Sequence, residues 1–131
     1  MRFAGYAAVF DRVDSGGDVI RKGAFAASLA TRREIPLLWQ HKAGAVIGRV
    51  ERVEEDSRGL RVIGELGGDA DALRAAGLLS SGAVNGLSFG YRVGRAEQAN
   101  GVRELRELEL VEVSLVASPM QRLARVHAVE R

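Results

Sequence analysis

Apolar and polar positions alternate along most of this chain with the two-residue period of β-strands. Successive side chains of a strand point to opposite faces, so this alternation indicates sheets that bury one face. The segments that alternate in this way, or that form apolar runs of strand length, are 2–10, 35–41, 45–54, 60–66, 83–95, 102–118 and 122–129.

Two other segments have helical character. Residues 23–32 are rich in helix formers, with apolar side chains at 25, 29 and 30. Residues 69–80 carry Leu73, Ala76 and Leu79 at helical spacing, and Asp69 is a candidate N-cap. We therefore predict two short helices.

Turn residues separate these segments. Clusters of Asp, Ser, Gly and other polar residues at 11–18, 56–59 and 97–101 predict turns, and Pro119 ends the last long strand. Hairpin connections outnumber helical crossovers, which favours a barrel over an open α/β sheet. We predict a mainly β fold with short helices (α+β), built as a six- to seven-stranded closed or nearly closed β-barrel.

The length and charge of the chain narrow the classes of function. The 131 residues are expected to form one domain, 1–131, with one modest core. The formal net charge is +2, and the 19 basic residues are scattered instead of forming the stripe that binds nucleic acid. The N-terminus lacks the apolar core of a signal peptide, and no run approaches the ~18 apolar residues of a membrane span. We expect neither a nucleic-acid partner nor a membrane partner.

The chain contains no cysteine. This excludes disulfides, thiolate metal sites and a cysteine nucleophile. The aspartates at 11, 14 and 18 could suggest a cation loop, but their spacing lacks the remaining ligands of a calcium loop. We interpret them as turn residues and expect no metal and no cofactor.

Two separated segments carry residues suited to nucleophilic catalysis. His41 follows an apolar run, and Ser88 lies between an apolar residue and an aromatic, with a glycine two positions to either side. A serine hydroxyl needs a base within hydrogen-bond reach, and histidine exchanges its proton close to neutral pH. His41 is thus a candidate base and Ser88 a candidate nucleophile, although a histidine that ends a buried strand also has a purely structural explanation.

An acidic strand near the C-terminal end offers a third member. Glu112 lies among apolar residues, where a carboxylate needs a partner because burial of an unpaired charge is costly. A histidine ring N–H is one such partner, and Arg49 or Arg106 are others. Glu109 is an odd step from Glu112 and is expected on the opposite face, together with Glu107. Triads are defined by geometry and not by chain order, so a triad of histidine, serine and glutamate is allowed.

Other residues compete for these roles. The serines at 80, 81, 114 and 118 are alternatives to Ser88, which is favoured by its flanking glycines because they permit close approach of a substrate. Ser114 is the main competitor, since it shares a strand face with Glu112, and we interpret it as structural. Backbone N–H groups near Phe89 and Gly90, or the Arg49 side chain, are candidate oxyanion donors. We interpret the second histidine, at 127, as an exposed strand residue.

Short motifs recur along nearly the whole chain, and their order and spacing are more specific than any one of them. They are GYAAVFD at 5–11, DVI at 18–20, GAF at 23–25, LLWQH at 37–41, IGRV at 47–50, GL at 59–60, LSFGY at 87–91, LVEVSLV at 110–116 and SP at 118–119. Together they resemble the prohead (procapsid maturation) proteases of tailed phages and of related gene transfer agents. That family is similar in fold to herpesvirus assemblin, a serine protease built on a β-barrel. The chain departs from the family at Met120 and Gln121, where a small residue and Asn are usual.

The resemblance implies a function and a site. It implies a serine endopeptidase that cleaves the scaffold-like segment of the major capsid protein, with Ser88 as nucleophile, His41 as base and Glu112 as the best match for the third member. Its place would be the assembling procapsid in the cytoplasm of the bacterial host, and self-cleavage and a homodimer are compatible with it. The alternatives are a non-catalytic capsid-assembly scaffold or chaperone module with a relic site, and a small-ligand β-barrel.

Overall fold

The computed structural model describes residues 1–31 and 33–131. These residues form eight strands and two helices, which in chain order are β1 Arg2–Val9, β2 Asp18–Ile20, α1 Ala26–Leu29, β3 Pro36–Trp39, β4 Val46–Glu55, β5 Gly59–Leu66, α2 Ala70–Ser81, β6 Gly86–Ala99, β7 Val102–Val116 and β8 Val126–Glu130. The prediction of a mainly β fold with short helices is confirmed. Neither helix of this described part has the length and apolar character that a membrane crossing requires.

The strands form one sheet that curls almost into a barrel. Neighbouring strands follow the order β6, β7, β3, β4, β5, β1 and β8, and β2 pairs in parallel with the first part of β7. The two ends of the sheet meet where Gly86 of β6 pairs with Arg125, just before β8. The Leu87 N–H also donates to the Ala124 carbonyl at 2.9 Å. The structure therefore agrees with a nearly closed barrel of seven strands, with β2 as an additional short strand.

The interior of the barrel is filled by apolar side chains that alternate along the strands. Removal of one such leucine or isoleucine side chain from water contributes about 1.5–3 kcal/mol to folding. The largest fully buried side chains are Phe25, Ile20, Leu37, Ile47, Leu60, Leu87, Leu105, Leu108, Leu110 and Leu115.

Strand β7 changes its facing pattern at Val111. Consecutive residues Gly90 and Tyr91 of β6 pair with Glu112 and Leu110, which leaves Val111 without a partner on β6. Val111 is therefore the extra residue of a β-bulge. The core-facing positions of β7 change from 108 and 110 before the bulge to 113 and 115 after it.

The turns and helix ends explain most differences from the predicted boundaries. As predicted, Asp69 is the N-cap of helix α2, and its Oδ1 accepts the Ala72 N–H at 2.8 Å. The polar turn predicted at 97–101 is shorter, because Asn100 and Gly101, with φ of 53° and 79°, form a two-residue hairpin turn and β6 continues to Ala99.

Other elements also differ from the sequence prediction. Helix α1 covers only 26–29 of the predicted 23–32, and residue 32 lies outside the described residues. The short strand β2 was not predicted, because its first residue belongs to the turn cluster and the strand it pairs with, β7, is distant in the chain. Strand β8 begins at Val126 instead of 122, since the Ala124 N–H donates to the Gln121 carbonyl in a preceding turn.

Candidate active site

His41 lies in a tight turn directly after β3. The Trp39 carbonyl accepts the Lys42 N–H at 3.0 Å, and the two central residues, Gln40 and His41, have φ of 52° and 61°. Two successive left-handed residues are typical of a type I′ turn, and such a conformation costs a non-glycine residue about 1 kcal/mol or more. The turn ends the predicted strand 35–41 two residues early and places His41 outside the strand ladder.

Contacts to β7 and the segment after it hold this turn. The Gln40 N–H donates to the Leu115 carbonyl at 3.0 Å, and the Gln40 side-chain oxygen accepts the Ala117 N–H at 3.0 Å. The His41 N–H donates to the Ser114 hydroxyl oxygen at 3.1 Å. These bonds offset the backbone strain and fix the position of His41 above the outer face of β7.

The side chain of His41 meets the carboxylate of Glu112. The His41 Nδ1 lies 2.5 Å from Glu112 Oε1, and Glu112 Oε2 accepts the Ser114 hydroxyl at 2.6 Å. The Glu112 side chain is only 10% exposed, whereas that of His41 is 44% exposed. When Nδ1 carries the proton and donates it to the carboxylate, Nε2 is the ring nitrogen that remains free to accept a proton.

The arginines considered as partners of Glu112 bind elsewhere. Arg49 pairs with Glu65 at 3.4 Å, and Arg106 pairs with Glu104 at 3.0 Å. In the part of the chain that the structure describes, the polar partners of the Glu112 carboxylate are thus His41 and Ser114. The predicted partner of this carboxylate, a histidine ring nitrogen, is thus in hydrogen-bond contact with it.

Ser88 lies on the strand next to Glu112 and Ser114. It pairs directly with Ser114 across β6 and β7, and paired residues of antiparallel strands share a face. Ser88 is half-buried, and it lines a cavity of about 160 Å³ together with His41. Among the described residues, the hydrogen bonds of His41 go to Glu112 and Ser114 and not to Ser88. Catalytic hydrogen bonds to a nucleophile are often long in ligand-free enzymes and shorten when substrate binds.

Acidic and aromatic groups are part of the lining of this cavity. Asp18 and Tyr91 both line it. Arg103 donates two hydrogen bonds to Asp18, at 2.8 and 3.0 Å, and these bonds lower the pKa of the Asp18 carboxyl. Burial raises the pKa of the Tyr91 phenol, so its hydroxyl stays protonated at neutral pH. The cavity therefore contains a neutral phenol next to a carboxylate that is already paired.

Gln121 and Met120 also line the cavity. The buried Gln121 amide donates to the Val9 carbonyl and accepts the Val9 N–H, both at 2.8 Å. Its neighbour Met120 is exposed. The Met120 carbonyl accepts the Ser15 hydroxyl at 3.2 Å, which links this segment to the turn at 11–18. The Gln121 side chain thus bonds both backbone groups of Val9, as a neighbouring strand would, and anchors the cavity wall to β1.

The competing residues have other surroundings. Ser114 is fully buried, and its hydroxyl is engaged by Glu112 and by the His41 N–H. A nucleophile must be reached by substrate, so this burial supports the structural interpretation of Ser114. As predicted, His127 is exposed on a strand, β8, where its ring lies 5.9 Å from that of Tyr6.

The predicted orientation of Glu109 is wrong. Glu109 pairs with Arg92 and Glu112 pairs with Gly90, two positions apart on β6, so the two carboxylates lie on the same face. The bulge at Val111 causes this change, because one extra residue reverses the alternation of the strand. Glu109 nevertheless stays out of the site, since its carboxylate pairs with Arg92 at 2.5 Å.

The sequence interpretation missed two contributors to the geometry. Ser114 was interpreted as structural, without its bonds to both the backbone of His41 and the carboxylate of Glu112. Gly90 was interpreted as room for a substrate, whereas the space over it is occupied by Glu112. The available signal was the two-residue spacing of Glu112 and Ser114, which placed both on one face.

Known proteins are similar to this chain in sequence and in fold. A family model described as caudovirus prohead serine protease matches residues 1–131. The prohead protease of Enterobacteria phage HK97 is 39% identical over 99 residues, which make up 71% of this chain and 43% of that protein. The chain thus spans less than half the length of this relative.

Solved structures of herpesvirus proteases have the same fold. The varicella-zoster virus protease superposes with a TM-score of 0.64 at 17% identity, over 96% of this chain and 62% of its own. The KSHV protease in complex with a hexapeptide phosphonate inhibitor superposes with a TM-score of 0.69 at 14% identity, over 95% of this chain and 63% of its own. The expected assemblin-like fold is confirmed.

Proposed function

Since this chain belongs to the caudovirus prohead serine protease family, we propose that it is a serine endopeptidase with Ser88, His41 and Glu112 as its catalytic triad. The observation that carries the proposal is the 2.5 Å contact between His41 Nδ1 and the buried Glu112 carboxylate, beside the cavity that His41 shares with Ser88. This contact leaves the second ring nitrogen free for proton transfer. The proposal treats residues 1–131 as one protease domain.

Each residue has a defined role in the proposed reaction. His41 Nε2 takes the proton of the Ser88 hydroxyl as Ser88 Oγ attacks the scissile carbonyl carbon. The protonated imidazole then gives this proton to the leaving amine, and the peptide bond breaks to form an acyl-enzyme. Water hydrolyses the acyl-enzyme by the same route. The negative charge of Glu112 stabilises the imidazolium that forms in each step.

The proposed substrate is the scaffold-like segment of a major capsid protein, cleaved inside the assembling procapsid in the host cytoplasm. The similarity to a phage prohead protease supports this substrate class. Self-cleavage belongs to the same proposal, because a protease enclosed with its own copies meets them at high concentration. A sizeable apolar cavity without an open cleft at Ser88 would favour the small-ligand alternative, whereas Ser88 itself lines the cavity described above.

A serine-directed probe tests the proposal. A fluorophosphonate probe should label the wild-type protein at Ser88, as located by mass spectrometry, and Ser88→Ala should abolish both labelling and cleavage of the capsid protein on gels. Ser118→Ala, at an exposed serine, is the matched control and should keep both. Circular dichroism checks that the variants fold. Retained cleavage by folded Ser88→Ala would transfer the nucleophile to another residue, and wild-type protein without labelling or cleavage would support the non-catalytic assembly module.

A further inference from the structure

We propose that Ser114 is a positioning residue for the catalytic base, an inference that rests on the proposed function of His41, Ser88 and Glu112. Its single hydroxyl holds the main chain of the base at one end and the carboxylate that orients the base at the other. It acts through these two groups and does not touch the substrate.

The hydrogen bonds form a closed ring through three residues. The His41 N–H donates to Ser114 Oγ at 3.1 Å, and the Ser114 hydroxyl donates to Glu112 Oε2 at 2.6 Å. Glu112 Oε1 lies 2.5 Å from His41 Nδ1, which completes the ring. Both the backbone and the ring of His41 are therefore tied to two residues that are two positions apart on β7.

The turn itself creates the need for this acceptor. Its own hydrogen bond joins Lys42 to Trp39, so the His41 N–H has no partner within the turn. The preceding N–H, of Gln40, continues the parallel ladder to the Leu115 carbonyl. An N–H without an acceptor would add to the cost of the positive φ at His41. The Ser114 hydroxyl supplies the acceptor at the residue where the base must be fixed.

The Glu112 carboxylate needs hydrogen-bond donors, just as the His41 N–H needs an acceptor. Glu112 is buried, and a buried carboxylate requires donors at both oxygens. Ser114 satisfies Oε2, which leaves Oε1 for His41. A hydroxyl that accepts one hydrogen bond and donates another is polarised by both, so the two contacts strengthen each other. A side chain without a hydroxyl, such as alanine, can make neither contact.

The surroundings of Ser114 fit a positioning role. The residue is fully buried between β3 and β6, since it pairs with Leu38 on one side and with Ser88 on the other. Strand β7, which lies between β6 and β3, thus places it between the proposed base and the proposed nucleophile. A shift of the His41 turn by about 1 Å would be enough to reduce the rate on the order of 100-fold.

The test compares Ser114→Ala and Ser114→Thr with Ser28→Ala as the control. The Ser28 hydroxyl also bonds the backbone of β7, where it accepts the Leu110 N–H at 2.9 Å, but it is not part of the ring. The first readout is the NMR signal of the His41 ring Nδ1 proton. The chain has only two histidines, which makes the assignment of this signal simple.

We expect folded Ser114→Ala to lose or shift the His41 ring proton signal, with kcat lowered roughly 10- to 100-fold and KM nearly unchanged. Ser114→Thr keeps the hydroxyl and should restore most of the ring proton signal and most of kcat. If its added methyl prevents folding, Ser114→Cys takes its place and should fall between wild type and alanine. Ser28→Ala should lower the melting temperature and leave the ring proton and kcat unchanged.

Two results would overturn the positioning role. One is Ser114→Ala with the wild-type ring proton signal and kcat. The other is a loss of activity in Ser28→Ala equal to that in Ser114→Ala at the same melting temperature, which would show a general stability effect. If the wild-type protein has no peptidase activity, the proposed function fails, but the ring proton of Ser114→Ala still reports whether Ser114 holds His41.

Discussion

Gly90 lies directly opposite Glu112 across strands β6 and β7, and the Glu112 side chain occupies the space that a side chain at position 90 would need. A Cβ at residue 90 would come within 2.5 Å of Glu112 Oε1 and 2.9 Å of its Cγ. The carboxylate cannot swing aside freely, because His41 and Ser114 hold its two oxygens. The glycine thus permits the contact between Glu112 and His41.

The first prediction concerns Gly90→Ala. The added methyl should displace the Glu112 carboxylate and reduce cleavage on the order of 100-fold, since small displacements in a catalytic site have effects of this size. Gly94→Ala is the control on the same strand, because its Cβ would stay 3.3 Å from both the side-chain Cγ and the backbone carbonyl oxygen of the exposed Glu107. Cleavage rates and melting temperatures of both variants check this. Full activity in Gly90→Ala would contradict the steric argument.

The second prediction concerns Glu112→Gln. The amide keeps the shape and one hydrogen bond, but it lacks the charge that supports the imidazolium, so the rate should fall on the order of 10³-fold or more. Glu109→Gln is the matched control, as its carboxylate shares the strand face but pairs with Arg92. Turnover per folded molecule separates the two variants. Normal turnover in Glu112→Gln, with only a lower melting temperature, would remove Glu112 from the triad and leave a dyad.

The third prediction concerns His41 and Ser88 together. Residues that act as one catalytic unit are strongly non-additive, so His41→Ala combined with Ser88→Ala should be scarcely slower than either single variant. The wild-type rate should also fall in acid, because only the neutral imidazole accepts the serine proton. Single-turnover cleavage assays measure both effects. Rate losses that multiply in the double variant would be incompatible with a shared step.

The fourth prediction concerns the pH dependence of stability at Asp18. The hydrogen bonds from Arg103 lower the pKa of the Asp18 carboxyl in the folded protein. The resulting stabilisation is present above the unfolded-state pKa of ~3.9 and is lost as the pH falls through the folded-state value. Asp18→Asn should therefore cost about 1 kcal/mol at pH 7, a modest value because Arg103 is partly exposed and screened.

Urea unfolding at pH 7 and at about pH 3 checks this. The difference between wild type and Asp18→Asn should shrink in acid, and high salt should also reduce it. Glu107→Gln, at an exposed position, is the control and should change stability little at either pH. A difference that is the same at both pH values would show that the charge of Asp18 does not stabilise the fold.

Much of the fold was predictable because its signals are local. Alternating side chains mark strands wherever one face is buried, and the helix at 70–81 was visible from the Asp69 cap and its apolar spacing. The candidate residues were also visible, since few side chains can act as a nucleophile or a base near neutral pH and the chain has only two histidines. The family motifs then selected Ser88 and Glu112 from several serines and glutamates.

The parts that could not be predicted depend on distant strands. The strand partner of β2 is the start of β7, and β6 extends to Ala99 because its whole length pairs with β7. The bulge at Val111 is likewise a register shift between two strands, and no residue type near Val111 predicts it from the sequence. Simple alternation therefore failed for Glu109.

The sequence by itself determined which chemical groups are available, because a hydroxyl, an imidazole and a carboxylate are properties of residue types. It also determined the barrel class, because burial of alternate side chains is a property of the strand pattern. Only the tertiary structure decided that the ring of His41 meets Glu112 and that Ser114 joins them. The two hydrogen bonds of His41 span more than 70 residues of chain, and they depend on strand register, on a strained turn held by β7 and on the way Glu112 fills the space over Gly90. Each of these is fixed by packing between segments and not within one.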